Sequence, residues 1–150
     1  MVSPANSFGI MDGGLDLAIR DQLGPVVERR VQNVIREKHH GELPIGSAEI
    51  VATGDSRWPH LVCAPTMRVP ENVSRTIHAY WAFRAILLAV KDHESIKSLL
   101  CCGLATGVGR MPPRRCAVQM HQAYLQVNGD GEIPSFGRIH TQHMAMTTID

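Results

Sequence analysis

Two glycine-rich stretches carry the residue types from which an anion site can be built. The first runs Asn6-Ser-Phe-Gly9-Ile-Met-Asp12-Gly13-Gly14-Leu-Asp16, the second Gly103-Leu-Ala-Thr-Gly107-Val-Gly109-Arg110. Each lies between a strand-like run and the start of a helical pattern. Such a junction leaves backbone N–H groups without internal partners at the positive end of a helix dipole, which suits a phosphate or diphosphate. The common phosphate signatures do not fit. A P-loop counted from Gly103 needs glycine where Val108 stands, and no Lys-Ser/Thr pair follows. Gly107-Val-Gly109 continues into Arg-Met-Pro112, so a dinucleotide fingerprint lacks its third glycine. Cys102 stands eight positions before Arg110, too far for a cysteine-phosphatase cradle.

The same residues also admit plainer roles. Asp16 in a first helical turn complements the dipole with no catalysis at all. Asn6 can serve as a turn or cap residue and Asp12 as a turn former. Cys101 and Cys102 end an apolar run and read as core thiols. His140-x-x-His143 has the step of a ligand pair but no third partner at matching spacing, so neither a metal nor a cofactor is expected.

The elements that must hold these residues follow from periodicity and punctuation. Leu15, Leu17, Ala18, Ile19 and Leu23 mark a helix with Asp16 in its first turn; Gly24 stops it, and Pro25 suits the start of the next. Val26, Val27, Val31, Val34 and Ile35 give that second helix its apolar face. After a Gly41–Gly46 turn cluster, Ser47–Thr53 and His60–Thr66 read as strands around the Gly54–Pro59 loop. Asn72 or Ser74 is placed to cap a long helix running to about Lys91. Leu99–Cys102 reads as a strand buried on both faces, and Pro112-Pro113 opens a helix through about Val127. Strands alternating with helices predict a three-layer α/β/α domain. Residues 128–150 show no sustained period and are expected to form a hairpin or a loosely ordered tail.

Composition sets the outer bounds. The chain has 150 residues, the usual size of one domain, with 44% apolar and 19% charged residues, which excludes bulk disorder. Fifteen Lys and Arg against fourteen Asp and Glu leave a net charge of +1. That balance gives counterion release little to act on, so tight sequence-independent binding to nucleic acid is not expected, and no sequence-specific nucleic-acid partner is expected either. No run approaches the length of a membrane span, the longest apolar reach being Ala79–Val90 with Arg84 inside it. Four cysteines (Cys63, Cys101, Cys102 and Cys116) lack the density and spacing of a disulfide scaffold and read as reduced thiols, and a cytoplasmic location is expected. Oligomeric state is not encoded in any of these features.

Taken in order, the motifs resemble the macro domain, the family of ADP-ribose-binding and Appr-1″-p processing proteins. Val2-Ser-Pro-Ala-Asn6 followed by Asp12-Gly-Gly-Leu-Asp16 is similar to that family's Val-Asn-Ala-Ala-Asn, short loop, glycine run and Val-Asp, with the same ten-residue step from Asn6 to Asp16. Gly46-Ser-Ala48 resembles its Gly-x-Ala strand, and Ala105-Thr-Gly-Val108 its Ser-Thr-Gly-Ile diphosphate loop. The resemblance implies a macro-domain-like mixed sheet between helices over residues 1–127, N-terminally incomplete, with 128–150 as an appendage. It implies a pocket for ADP-ribose or an ADP-ribosylated protein. Asn6 would hydrogen-bond the distal ribose, Asp16 would orient or deprotonate a water, and Gly13 and Gly14 would let the backbone approach. Ala105, Thr106, Gly107, Val108, Gly109 and Arg110 would line the diphosphate. Either the chain hydrolyses ADP-ribosyl or O-acetyl-ADP-ribose ester bonds, or it binds without turnover, or it is an inactive truncated form. It departs from the family pattern at Ser3, which replaces an asparagine, and at Asp12, which puts a charge into the glycine run. It departs again at Gly109-Arg110, where an aromatic is common, and it begins after the segment that carries the family's adenine-binding acid.

Overall fold

Short apolar strands and amphipathic helices assemble here around one central strand. A computed structural model describes residues 1–149. Strand β3 (His60–Cys63) lies between β1 (Val2–Ser3) and β2 (Glu49–Ala52). β1 runs parallel to it with Val2 opposite Val62, and β2 antiparallel with Ile50 opposite Val62. The parallel pairing continues beyond the regular strands: the Ala64 N–H donates to Ser3 O (3.2 Å), the Thr66 N–H to Ala5 O (3.0 Å), and Asn6 bridges to Met67. Asn6 and the Thr66–Met67 pair are thereby delivered to the same end of the sheet.

Side chains of β3 and its extension alternate between two cores, as the pleat requires. Leu61 and Cys63 pack with Ile19 of α1 (Gly14–Leu23) and with Val27, Val31 and Ile35 of α2 (Val26–His39). Val62 and Ala64 pack with Ala79, Ala82 and Ile86 of α3 (His78–Lys91) and with Cys116 of α4 (Pro113–Asn128). A strand covered on both faces has no polar side to show, which is why Leu61–Ala64 is an unbroken apolar run. The result is the expected three-layer α/β/α arrangement with a mixed sheet.

Three segments differ from the sequence reading. α3 begins at His78, not after Asn72 or Ser74. The Asn72 carboxamide accepts the Ser74 N–H (2.9 Å) and the Thr76 hydroxyl accepts the His78 N–H (3.2 Å), so these side chains close turns ahead of the helix. Leu99–Cys102 forms no strand; it touches the sheet through the Val2 N–H to Leu100 O bond (2.9 Å), and Leu100 is 60% exposed. The C-terminal segment is neither hairpin nor loose tail over Phe136–Thr148, which form helix α5. Only Met146 of that helix is buried, which explains the missing period. Buried polar groups hold it instead: Gln119 Nε2 donates to Met146 O (3.1 Å) and Arg115 Nε to Ile149 O (2.7 Å). No helix among the described residues is long and apolar enough to cross a membrane.

Candidate ligand-binding site

At the end of the sheet where Asn6 and Thr66 meet, a cleft of about 320 Å³ opens between segments 4–16 and 102–109, with Thr66, Met67 and Pro70 completing its wall. Asn6, Gly13, Gly14, Asp16, Ala105, Thr106, Gly107, Val108 and Gly109 all line it. Arg110 does not. Its backbone sits at φ 54° with the N–H turned back to Gly107 O (3.0 Å), and its exposed side chain lies outside the lining.

Asn6 folds the following loop around its own carboxamide. Oδ1 accepts the N–H groups of Phe8 (3.0 Å) and Ile10 (3.3 Å), and Nδ2 donates to Ile10 O (2.7 Å). An amide NH2 carries two donors, so one remains for the cleft. The loop is tied to α2 where Glu28 Oε1 accepts the Met11 N–H (2.9 Å). Beyond it, Gly13 is extended and Gly14 turns at φ +57°, a conformation that disfavours any residue with a Cβ. No side chain caps α1 at Gly13, leaving first-turn N–H groups open toward the cleft.

Asp16 lies in that first turn with only 8% of its surface exposed. Burial raises its pKa by disfavouring the charged form, and the Ser3 hydroxyl, which donates to Oδ1, offsets this in part. Ser3 belongs to β1, so the sheet itself orients the carboxylate.

The opposite wall is a loop with its carbonyls turned inward. Met111 N–H donates to Ala105 O (3.0 Å), Val73 N–H to Gly109 O (3.0 Å), and the Thr106 hydroxyl to Gly103 O (2.8 Å). A Cβ on Gly109 would stand 2.5 Å from Ala105 O and 2.7 Å from Val73 Cγ2, so only glycine fits that close approach. Among the described residues, the N–H groups of Thr106, Gly107, Val108 and Gly109 have no acceptor within the protein. Four unpaired amide donors facing a helix N-terminus across a cleft can bind an anion. No Lys, Arg or His lines the cleft.

A family profile described as Macro domain matches residues 2–120. The chain belongs to the Macro domain family. This macro domain is 34% identical over 120 residues to an uncharacterized protein of Aquifex aeolicus, a match covering 80% of this chain and 68% of the relative. A second relative, from Aeropyrum pernix, is 29% identical over 73% of this chain and 54% of its own length. The fold resembles the Oceanobacillus iheyensis macrodomain with MES bound (TM-score 0.70, 21% identity, 83% of this chain and 67% of that one). A mutant of that macrodomain with ADPR aligns at TM-score 0.71 and 20% identity over 83% of this chain and 68% of its own. The macrodomain of Mycobacterium tuberculosis DarG aligns at 0.70 and 20% identity, covering 84% of this chain and 80% of that one.

Sequence reasoning missed several residues of this macro domain's cleft. Thr66 and Met67 enter through the parallel register with Asn6, a contact between positions far apart in the chain. Ser3 stood out as a departure, but its bond to Asp16 depends on how β1 meets α1. Cys101 and Cys102 are half-buried and pack against the edge of the core; burial pushes Cys101 up to about 12 and raises Cys102, which also lines the cleft. Its place directly before the glycine loop was the available signal.

Proposed function

We propose that this macro domain binds ADP-ribose or an ADP-ribosyl derivative in the cleft and hydrolyses ADP-ribosyl or O-acetyl-ADP-ribose ester bonds there. The observation that carries the reading is the row of four unpaired N–H groups at Thr106–Gly109 facing the open first turn of α1. The diphosphate takes the N–H groups of that loop, whose fixed dipoles cost no reorganisation when charge arrives. The distal ribose lies between Asn6 and Gly13–Gly14, where the absence of side chains lets backbone and sugar meet. Asp16 holds and deprotonates the attacking water, and its raised pKa suits a general base. Arg110 takes no part in this arrangement. Residues 1–127 carry the activity, and 128–150 form an appended segment. The ligand reading agrees with the ADPR bound in a structural neighbour.

A binding module without turnover is the second reading. It is favoured by Asn6, whose carboxamide is largely committed to its own loop. Calorimetric titration with ADP-ribose tests both. Micromolar or tighter binding, worth about 8 kcal/mol, is expected; a folded protein that gives no heat sinks the ligand assignment. Asp16→Ala then separates the readings. An enzyme loses ester hydrolysis while still binding ADP-ribose, whereas a binding module has no turnover to lose.

A further inference from the structure

The cleft carries an uneven charge that its glycines do not account for. One wall offers the N–H groups of 106–109. The other carries the Asp12 carboxylate directly before Gly13 and Gly14. Asp12 lines the cleft, is exposed, and among the described residues enters no hydrogen bond or ion pair. The lining holds no cationic side chain to offset it, and Asp16 lies at the same end. The dipole of α1 supplies about half a positive charge there, less than one carboxylate carries. This end of the cleft is therefore net negative while the loop end is a donor of hydrogen bonds.

We infer that Asp12 is a specificity-determining residue. It excludes ADP-ribosyl ligands whose distal ribose bears a further anion, a phosphate monoester above all. It admits those whose distal ribose ends in a hydroxyl, a neutral ester or a cationic group. The inference rests on the proposed placement of the distal ribose between Asn6 and Gly13–Gly14. A phosphate monoester carries about −1.5 to −2 charges at neutral pH. Set beside Gly13 and Gly14 in the same cleft as that carboxylate, it is disfavoured by about tenfold or more in affinity. The loop at Thr106–Gly109 cannot compensate, because its donors are already taken by the diphosphate. Asp12 has no partner among the described residues, so its charge can be removed without disturbing the fold.

Calorimetric titration of ADP-ribose and of ADP-ribose 1″-phosphate into the wild type, Asp12→Asn and Asp12→Glu tests this. The wild type and Asp12→Glu are expected to bind ADP-ribose about tenfold or more tightly than the phosphomonoester. Asp12→Asn is expected to close most of that gap by improving the phosphomonoester far more than ADP-ribose, and added salt to narrow it in the wild type. Equal affinities in the wild type, or a gap unchanged in Asp12→Asn, would overturn the role of Asp12 while leaving ADP-ribose binding intact. Absence of ADP-ribose binding by folded wild type would overturn the placement of the ligand, and this inference with it.

Discussion

Asp16 combines a task with a liability. Its carboxylate is nearly buried, its hydrogen-bond partner is a neutral hydroxyl, and its pKa is raised. A group whose folded pKa lies above its unfolded one holds its proton longer in the folded state. Stability therefore falls as pH rises from the ordinary aspartate range through the raised value, and the deficit persists at neutral pH. Asparagine has the same shape, keeps an oxygen for Ser3 and carries no charge. Asp16→Asn is expected to resist urea better than the wild type at neutral pH, with the advantage vanishing below the ordinary aspartate pKa. Equal midpoints at neutral pH would mean that water reaches the carboxylate more freely than its burial allows. A stabilising change that removes the base is the usual signature of a residue kept for chemistry.

At the scale of elements, the way α5 is attached is open to test. Gln119 is fully buried; its Nε2 donates to Thr76 O (2.8 Å) and Met146 O (3.1 Å), and its Oε1 accepts the Tyr80 N–H (3.2 Å). Gln119→Leu keeps the volume but orphans these groups, and is expected to cost about 1–3 kcal/mol. Hydrogen exchange in 136–148 should quicken while ADP-ribose affinity stays unchanged. An unaltered exchange pattern would assign the attachment to Arg115 alone. Such polar anchoring also explains what the sequence left unread. α2 was legible because Val27, Val31 and Ile35 repeat on one face, and α4 because Pro112-Pro113 opens it. α5 was not, since one buried methionine makes no period. The start of α3 was misplaced because Asn72 is as good a turn residue as a cap. In the cleft, the glycine loops were legible from their junctions, whereas Arg110 was not, its orientation being set by one positive φ. The Ser3–Asp16 bond was hidden because it joins a strand to a helix.

For the whole molecule, the cleft combines backbone donors with carboxylates and has no lining cation, despite a net charge of +1. Anion binding through lysines and arginines weakens with salt. Here, raising salt from about 50 to about 500 mM is expected to leave ADP-ribose affinity flat or slightly improved, because it screens repulsion and releases few counterions. A tenfold loss would reveal a cation reaching in from outside the lining. The three wall segments have another consequence, in time. Val2 pairs with Val62, its N–H meets Leu100 O, and the cleft needs residues 102–109 as well. On the ribosome the Asn6–Asp16 half emerges first, yet it has nothing to dock on until some hundred residues have followed, and such distant pairings close slowly. The cleft therefore closes only once residues 102–109 have followed the Asn6–Asp16 half, and a ligand that needs both walls passes over chains still shorter than that.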